Sequence, residues 1–264
     1  MSKKALLVDN DFFFVEFLSD LLEKRGYEVV KATDGKDAIC KLGEVPIDIL
    51  FLEIIMPKID GKQIIKFVRN KMPEATFPII AVSGYLVEQM DELNEIGADY
   101  YIAKGTMEKM GDHVDVFLEK IEKAPHPDPD DMILLEPGQV YPRQSTVQLM
   151  DILNYQQAIT DSAGVGLIVV DNDARIIHAN LSALNMIKKS LEDVLNLTIT
   201  GIFPSDEKET IINALKRLIQ EEGLRKVSFF TKFDTKEIQT IVSTLNVRNR
   251  KSGWVIVMAE TVDM

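Results

Sequence analysis

Between residues 4 and 123 the chain alternates five short, apolar, β-rich runs with amphipathic helical stretches, and that alternation leaves few folds open. The runs are Ala5-Leu6-Leu7-Val8, Tyr27-Glu28-Val29-Val30, Asp48-Ile49-Leu50-Phe51-Leu52, Pro78-Ile79-Ile80-Ala81-Val82 and Tyr100-Tyr101-Ile102. Strands apolar along their length are buried on both faces, and strands separated by helices pair in parallel because each connection crosses the sheet. The pattern therefore predicts an α/β unit with a doubly wound, five-stranded parallel sheet. Its last helix places Met107, Met110, Val114, Phe117, Leu118 and Ile121 at helical spacing, a stripe that reads as core.

One such unit does not use up 264 residues, so a second domain is expected. Residues 1–123 form the first. Residues 124–144 collect Pro125, Pro127, Pro129, Pro137 and Pro142 among several acids, a density of proline that prevents a regular element and marks a linker. A connecting helix is expected over 145–162, capped by Ser145 or Thr146, with Leu149, Ile152, Leu153 and Ile159 as an apolar seam. Over 163–264 the order changes to two strands (165–170 and 175–178), helical segments, and three β-rich runs near 225–232, 236–246 and 253–261. Strands at both ends with helices between predict an α+β domain with an antiparallel sheet.

Charge and composition narrow the function. A net charge of −12 opposes nucleic-acid binding, which draws its affinity from Lys and Arg. No stretch approaches the ~20 apolar residues of a spanning helix and no signal peptide opens the chain, so no membrane role and a cytoplasmic location are expected. The single Cys40 excludes an internal disulfide framework and reads as a small helix residue.

An open α/β sheet carries its chemistry at the carboxyl ends of its strands. There the sequence places Asp9-Asn10-Asp11, Glu53, Ser83-Gly84 and Lys104. Acids from two strand ends can hold a hard cation such as Mg2+, while a hydroxyl and a lysine can bind phosphoryl oxygens. With Glu53-Ile54-Ile55-Met56-Pro57-Lys58-Ile59-Asp60-Gly61, these residues resemble the receiver domain of bacterial response regulators, a flavodoxin-like fold, over residues 3–123. The resemblance puts Glu53 at the phosphoacceptor position, Ser83, Tyr101 and Lys104 at the switch and phosphate-contact positions, and a weak Mg2+ site at Asp9, Asn10, Glu53 and Ile55. It implies a histidine kinase or another signalling protein as partner.

Three departures degrade the site. Asn10 stands where the family has a second acid, with Asp11 the residue that could compensate. Glu53 is one methylene longer than Asp, moving its carboxylate by ~1.5 Å, a displacement that costs near-attack chemistry heavily. Gly105 replaces a Pro, so the Lys104-Gly105 bond is expected to lose the geometry that aims the lysine. Glu53 then reads as an imitation of the phosphorylated state, as a remnant in a silent site, or as a residue introduced in place of Asp. Phe12-Phe13-Phe14 follows the acids directly, and a helix cannot bury all three rings, so at least one is expected at the surface as a packing or docking residue.

In the second half, Ala158 to Val170 followed by Asp171-Asn172-Asp173-Ala174-Arg175-Ile176-Ile177-His178-Ala179-Asn180 resembles the opening of a PAS domain. The resemblance implies a sensory or dimerising module, hence a homodimer through this domain and the connecting helix. Haem is not expected, because His178 lies on an early strand and not on the helix near 206–222. A flavin adduct is not expected either, because this half has no cysteine. The Asp-Asn-Asp at 171–173 reads as a self-capping turn and not a calcium loop. The expected function is a non-enzymatic, two-component-type signalling protein with a pseudo-receiver acting by contact. A conventional phosphoaccepting regulator whose acceptor was changed to Glu, and a small-molecule sensor using the PAS pocket, stand as alternatives.

Overall fold

The computed structural model describes residues 2–84, 96–105, 107–123, 134–135, 155–233, 236–248 and 250–260. The backbone divides into two compact units, Met1–Leu149 and Met150–Met264.

In the first unit, β1 (Lys4–Val8), α1 (Phe12–Lys24), β2 (Glu28–Ala32), α2 (Gly35–Glu44), β3 (Ile49–Leu52), α3 (Gly61–Lys71), β4 (Ile79–Ser83), β5 (Tyr100–Ala103) and α4 (Met107–Lys123) follow in chain order. The sheet is parallel with strand order β2-β1-β3-β4-β5, as the apolar runs predict. Strands β3, β4 and β5 are buried at every position, which is why they read as unbroken apolar runs. The α4 stripe packs as core: Met110, Val114, Phe117, Leu118 and Ile121 are buried, with the Phe117 ring edge-on to Phe51 and Tyr100. Helices begin on aspartates, Asp11 for α1, Asp34 for α2 and Asp60 for α3, each accepting backbone N–H groups of the first turn.

The prolines of 124–144 do not exclude a regular element there. Leu134–Leu135 forms β6, which pairs in parallel with Tyr101 and Ile102 and adds a short sixth strand at the β5 edge. Proline at 125, 127, 129, 137 and 142 removes N–H donors only at those positions, and Leu134 and Leu135 keep theirs for a ladder. The rest of the expected linker lies outside the described residues. So do positions 145–154 of the expected connecting helix, with Leu149, Ile152 and Leu153.

The first described element of the second unit is helix α5 over 155–162. There follow β7 (Gly166–Val170), β8 (Ile176–Ala179), α6 (Leu181–Ile187), α7 (Leu191–Val194), a single 3-10 turn at Ile199–Gly201, α8 (Lys208–Gln220), β9 (Lys226–Phe233), β10 (Lys236–Val247) and β11 (Arg250–Glu260). The sheet is antiparallel in the order β8-β7-β11-β10-β9. Alternate residues of its strands, Ile168, Val170, Val242, Ile256 and Met258, meet Ile211, Ala214, Leu215 and Leu218 of α8 in one core.

Gly253, at φ +139°, lets β11 pass against β7: a Cβ there would stand 1.9 Å from the Val170 carbonyl oxygen. Gly253→Ala is expected to cost about 2–6 kcal/mol, summing backbone strain and steric overlap. Urea unfolding followed by Trp254 fluorescence measures this directly, because Trp254 is the chain's single tryptophan and the next residue along β11.

Candidate functional site

In the first sheet β1 and β3 are neighbours although β2 lies between them in sequence, and a doubly wound sheet opens its crevice at such a reversal. The strand ends bring Asp9 and Glu53 side by side, tied by the Glu53 N–H donating to the Val8 carbonyl at 2.9 Å. On the other side the Lys104 N–H donates to the Ser83 carbonyl at 3.1 Å, which fixes the start of the loop after β5 against the end of β4.

The Lys104 ammonium sits between the two carboxylates, 2.5 Å from Asp9 Oδ2 and 2.7 Å from Glu53 Oε2. Each acid's other oxygen is held by backbone: the Asp11 N–H donates to Asp9 Oδ1 at 2.8 Å, and the Ile55 N–H to Glu53 Oε1 at 3.0 Å. The Phe14 ring lies under the ammonium, 4.2 Å from Nζ to centroid. Asp9, Glu53 and Ser83 are buried, while the Lys104 side chain keeps 18% of its surface exposed. Burial lifts the Asp9 carboxyl above its ordinary range, and Lys104 only partly opposes this. Burial pushes the Lys104 ammonium down, but Glu53 and Asp9 outweigh it and hold the group above its ordinary value.

The segment after Glu53 is closed by Asp60-Gly61. The Gly61 N–H returns to the Ile54 carbonyl at 2.9 Å, and a Cβ on Gly61 would stand 2.5 Å from the Glu53 carbonyl oxygen. Asp60 and Gln63 form a reciprocal cap on α3, so the same turn that starts the helix presses Glu53 into place. Tyr101 is buried in β5 with its hydroxyl accepting the Ala98 N–H at 3.1 Å, and burial pushes that phenol up.

Two sequence expectations are corrected here. Asp11 does not stand in for the acid missing at Asn10, because its carboxylate accepts the Phe13 and Phe14 N–H groups as the cap of α1. Gly105 leaves the Lys104-Gly105 bond trans, as the absence of proline predicts, but this does not misdirect the lysine, whose side chain reaches both carboxylates. Four covalent bonds of lysine side chain are flexible enough to aim the ammonium without a special backbone. Phe14 was legible only as a helix residue, and its ring under Lys104 is the part of the site that sequence reasoning missed. Phe12 and Phe13 are 65% and 74% exposed, as the crowding of three rings predicts.

A Mg2+ ion does not fit the residues as arranged. Asp9 Oδ2 and Glu53 Oε2 are both committed to Lys104, Asn10 is exposed, and among the described residues no three acidic, His or Cys side chains converge on one point.

In the second unit Asp171 accepts the Asp173 and Arg175 N–H groups at 2.9 Å each, the expected self-capping turn. Asn180 is fully engaged: Oδ1 accepts the Leu167 and Ala183 N–H groups at 2.8 and 3.0 Å, while Nδ2 donates to the Thr160 and Val165 carbonyls at 2.6 and 2.9 Å. This one side chain joins α5, β7 and α6. His178 lies on β8, as its position on an early strand predicts. Cys40 lies in α2.

Compared with known protein families, residues 5–115 match the response regulator receiver domain and residues 160–262 match the PAS fold. The chain is 35% identical over 106 residues to the alkaline phosphatase synthesis transcriptional regulatory protein PhoP of Bacillus subtilis, covering 39% of this chain and 43% of that protein. It is 23% identical over 232 residues to the sensor histidine kinase TmoS of Ectopseudomonas mendocina, covering 83% of this chain and 24% of the kinase. The chain thus spans less than half the length of these curated relatives. Among solved structures, a two-component response regulator from Clostridium difficile is 30% identical, covering 45% of this chain and 98% of that one at a TM-score of 0.38. Among the described residues no helix is long and apolar enough to cross a membrane.

Proposed function

A receiver domain followed by a PAS-fold domain is what this chain carries, and on that premise we propose a two-component-type signalling protein whose receiver acts through protein contacts and does not accept phosphate at Glu53. The observation that carries this reading is the Glu53 carboxylate itself, bound on one oxygen by Lys104 and on the other by the Ile55 N–H. A phosphoacceptor must present a free oxygen to the donor in line, and misplacement by one methylene already costs rate heavily. Glu53 therefore occupies the acceptor position itself, holding Lys104 as a phosphoryl group would. The buried Tyr101 fits a receiver held in one state.

The partner of such a surface is a histidine kinase or another signalling protein, and the exposed Phe12 and Phe13 rings next to the site are suited to anchoring one. A homodimer through the PAS domain and connecting helix is supported by Tyr155 and Ile159, which leave an apolar stripe exposed at i, i+4 on α5. Light scattering at micromolar concentration is expected to give twice the mass of one chain, and the mass of a single chain would remove the dimer.

The test of the reading is intact mass after incubation with acetyl phosphate and Mg2+. The unaltered chain is expected to gain nothing. A gain of one phosphoryl group, lost on Glu53→Gln, would make the chain a conventional regulator instead.

A further inference from the structure

We propose that Lys104, seated on Phe14, is the resident cation of the Asp9 and Glu53 pair, so that this receiver closes its acidic site without a divalent metal. The inference deepens the functional reading above and rests on it.

All four carboxylate oxygens of the pair have a donor. Two take backbone N–H groups from Asp11 and Ile55, and two take the same ammonium. A hard divalent ion would need six or more oxygens around it, about three of them from protein here, and the two inward-facing ones are already spent on Lys104. The third acid of the segment, Asp11, is turned away to cap α1. The length of Glu53 is what makes the bridge: its extra methylene carries Oε2 about 1.5 Å further toward Nζ than an aspartate would reach. Phe14, itself buried, completes the seat, since its ring presents a negative face to the ammonium. The triple phenylalanine thus divides its work, with Phe14 buried under the lysine and Phe12 and Phe13 left outside.

The probe is Mn2+, read by the electron paramagnetic resonance signal of the free ion, with the full chain, Lys104→Met and Glu53→Asp. Uptake at this pair is the part abolished by adding Asp9→Asn. The unaltered chain is expected to leave the free-ion signal undiminished, while Lys104→Met, which releases both inward oxygens, depletes it. Glu53→Asp, whose shorter carboxylate withdraws from Nζ, is expected to deplete it as well and keeps the test decisive if Lys104→Met fails to fold. Depletion by the unaltered chain equal to that of the variants overturns the inference. An undiminished signal in all three chains also overturns it, because the ammonium is then not what keeps the metal out. Mn2+ uptake by an unaltered chain that still gains no phosphoryl group overturns this inference alone, whereas uptake together with a phosphoryl adduct overturns the functional reading too.

Discussion

Lys104→Met is expected to destabilise the receiver unit by about 3–5 kcal/mol, the range for removing one partner of a buried ion pair and leaving the other charges uncompensated. The lower end applies, because 18% of the lysine side chain is exposed and water can reach the vacated place. Methionine keeps most of the apolar volume over Phe14, so the loss reports the charge and not a cavity. Two-probe urea unfolding separates the units: Trp254 fluorescence reports the second unit and its midpoint stays, while the far-UV circular dichroism signal, which sums both units, gains a transition at lower urea.

The same variant has a signed pH dependence. Asp9 is held above its ordinary value of 3.8 by burial, and Lys104 supplies the two largest opposing influences. Without Lys104 the folded-state value rises further. Between 3.8 and that raised value the folded chain binds more protons than the unfolded one, so stability increases as pH falls through this window. The unaltered chain has the same sign with smaller amplitude. Lys104's own contribution is complete below its unfolded value of 10.5 and is lost as pH rises through its raised folded value, in alkali only. A Lys104→Met chain that loses stability on mild acidification would contradict the buried pair.

The second large effect belongs to Asn180. Asn180→Ala is expected to cost about 4 kcal/mol, combining a lost helix cap of about 1 kcal/mol with buried backbone groups left without partners at about 1–3 kcal/mol each. Its four bonds reach Leu167, Ala183, Thr160 and Val165, so the loss uncouples α5 from β7 and α6 as well as loosening the fold. Asn180→Asp distinguishes the two halves of the side chain. It keeps the acceptor for Leu167 and Ala183 but turns an oxygen toward the Thr160 and Val165 carbonyls. It is therefore expected to retain the α6 cap and still release α5, seen as faster amide exchange over 155–162 with α6 protection kept. Protection unchanged over 155–162 in both variants would show that other contacts hold α5.

Much of this architecture is legible in the sequence. Strands β3, β4 and β5 are apolar throughout because both faces are covered, so their existence and parallel pairing follow from unbroken apolar runs, whereas β2 carries Glu28 and Lys31, is only partly buried, and runs to Ala32, two residues past the expected end at Val30. Asp9, Glu53, Ser83 and Lys104 are legible for a related reason, since each ends or directly follows a strand and the topology gathers the carboxyl ends of the strands together. Asp11 was not legible in the same way. An acid after a strand reads equally as a metal ligand and as a helix cap, and only the Phe13 and Phe14 N–H groups decide between them. Phe14 under Lys104 joins residues ninety positions apart by a contact that leaves no periodic trace. β6 was obscured because prolines dominate the composition around Leu134 and Leu135 while leaving their own N–H groups intact. Asn180 could be read as the start of a helix, but its bonds to Thr160 and Val165 end on backbone carbonyls, which carry no residue identity.

On the proposed reading, Glu53 bound by Lys104 holds the receiver in one state without phosphate. The most direct measurement is the amide spectrum of the full chain, by nuclear magnetic resonance, before and after adding Mg2+ with beryllofluoride, a mimic of the acceptor phosphoryl group. The Ser83, Tyr101 and Lys104 resonances are expected to stay unshifted in the unaltered chain and to shift in Glu53→Asp. Shifts of those three resonances in the unaltered chain would mean that the site is still open to metal and phosphoryl, and would contradict that reading.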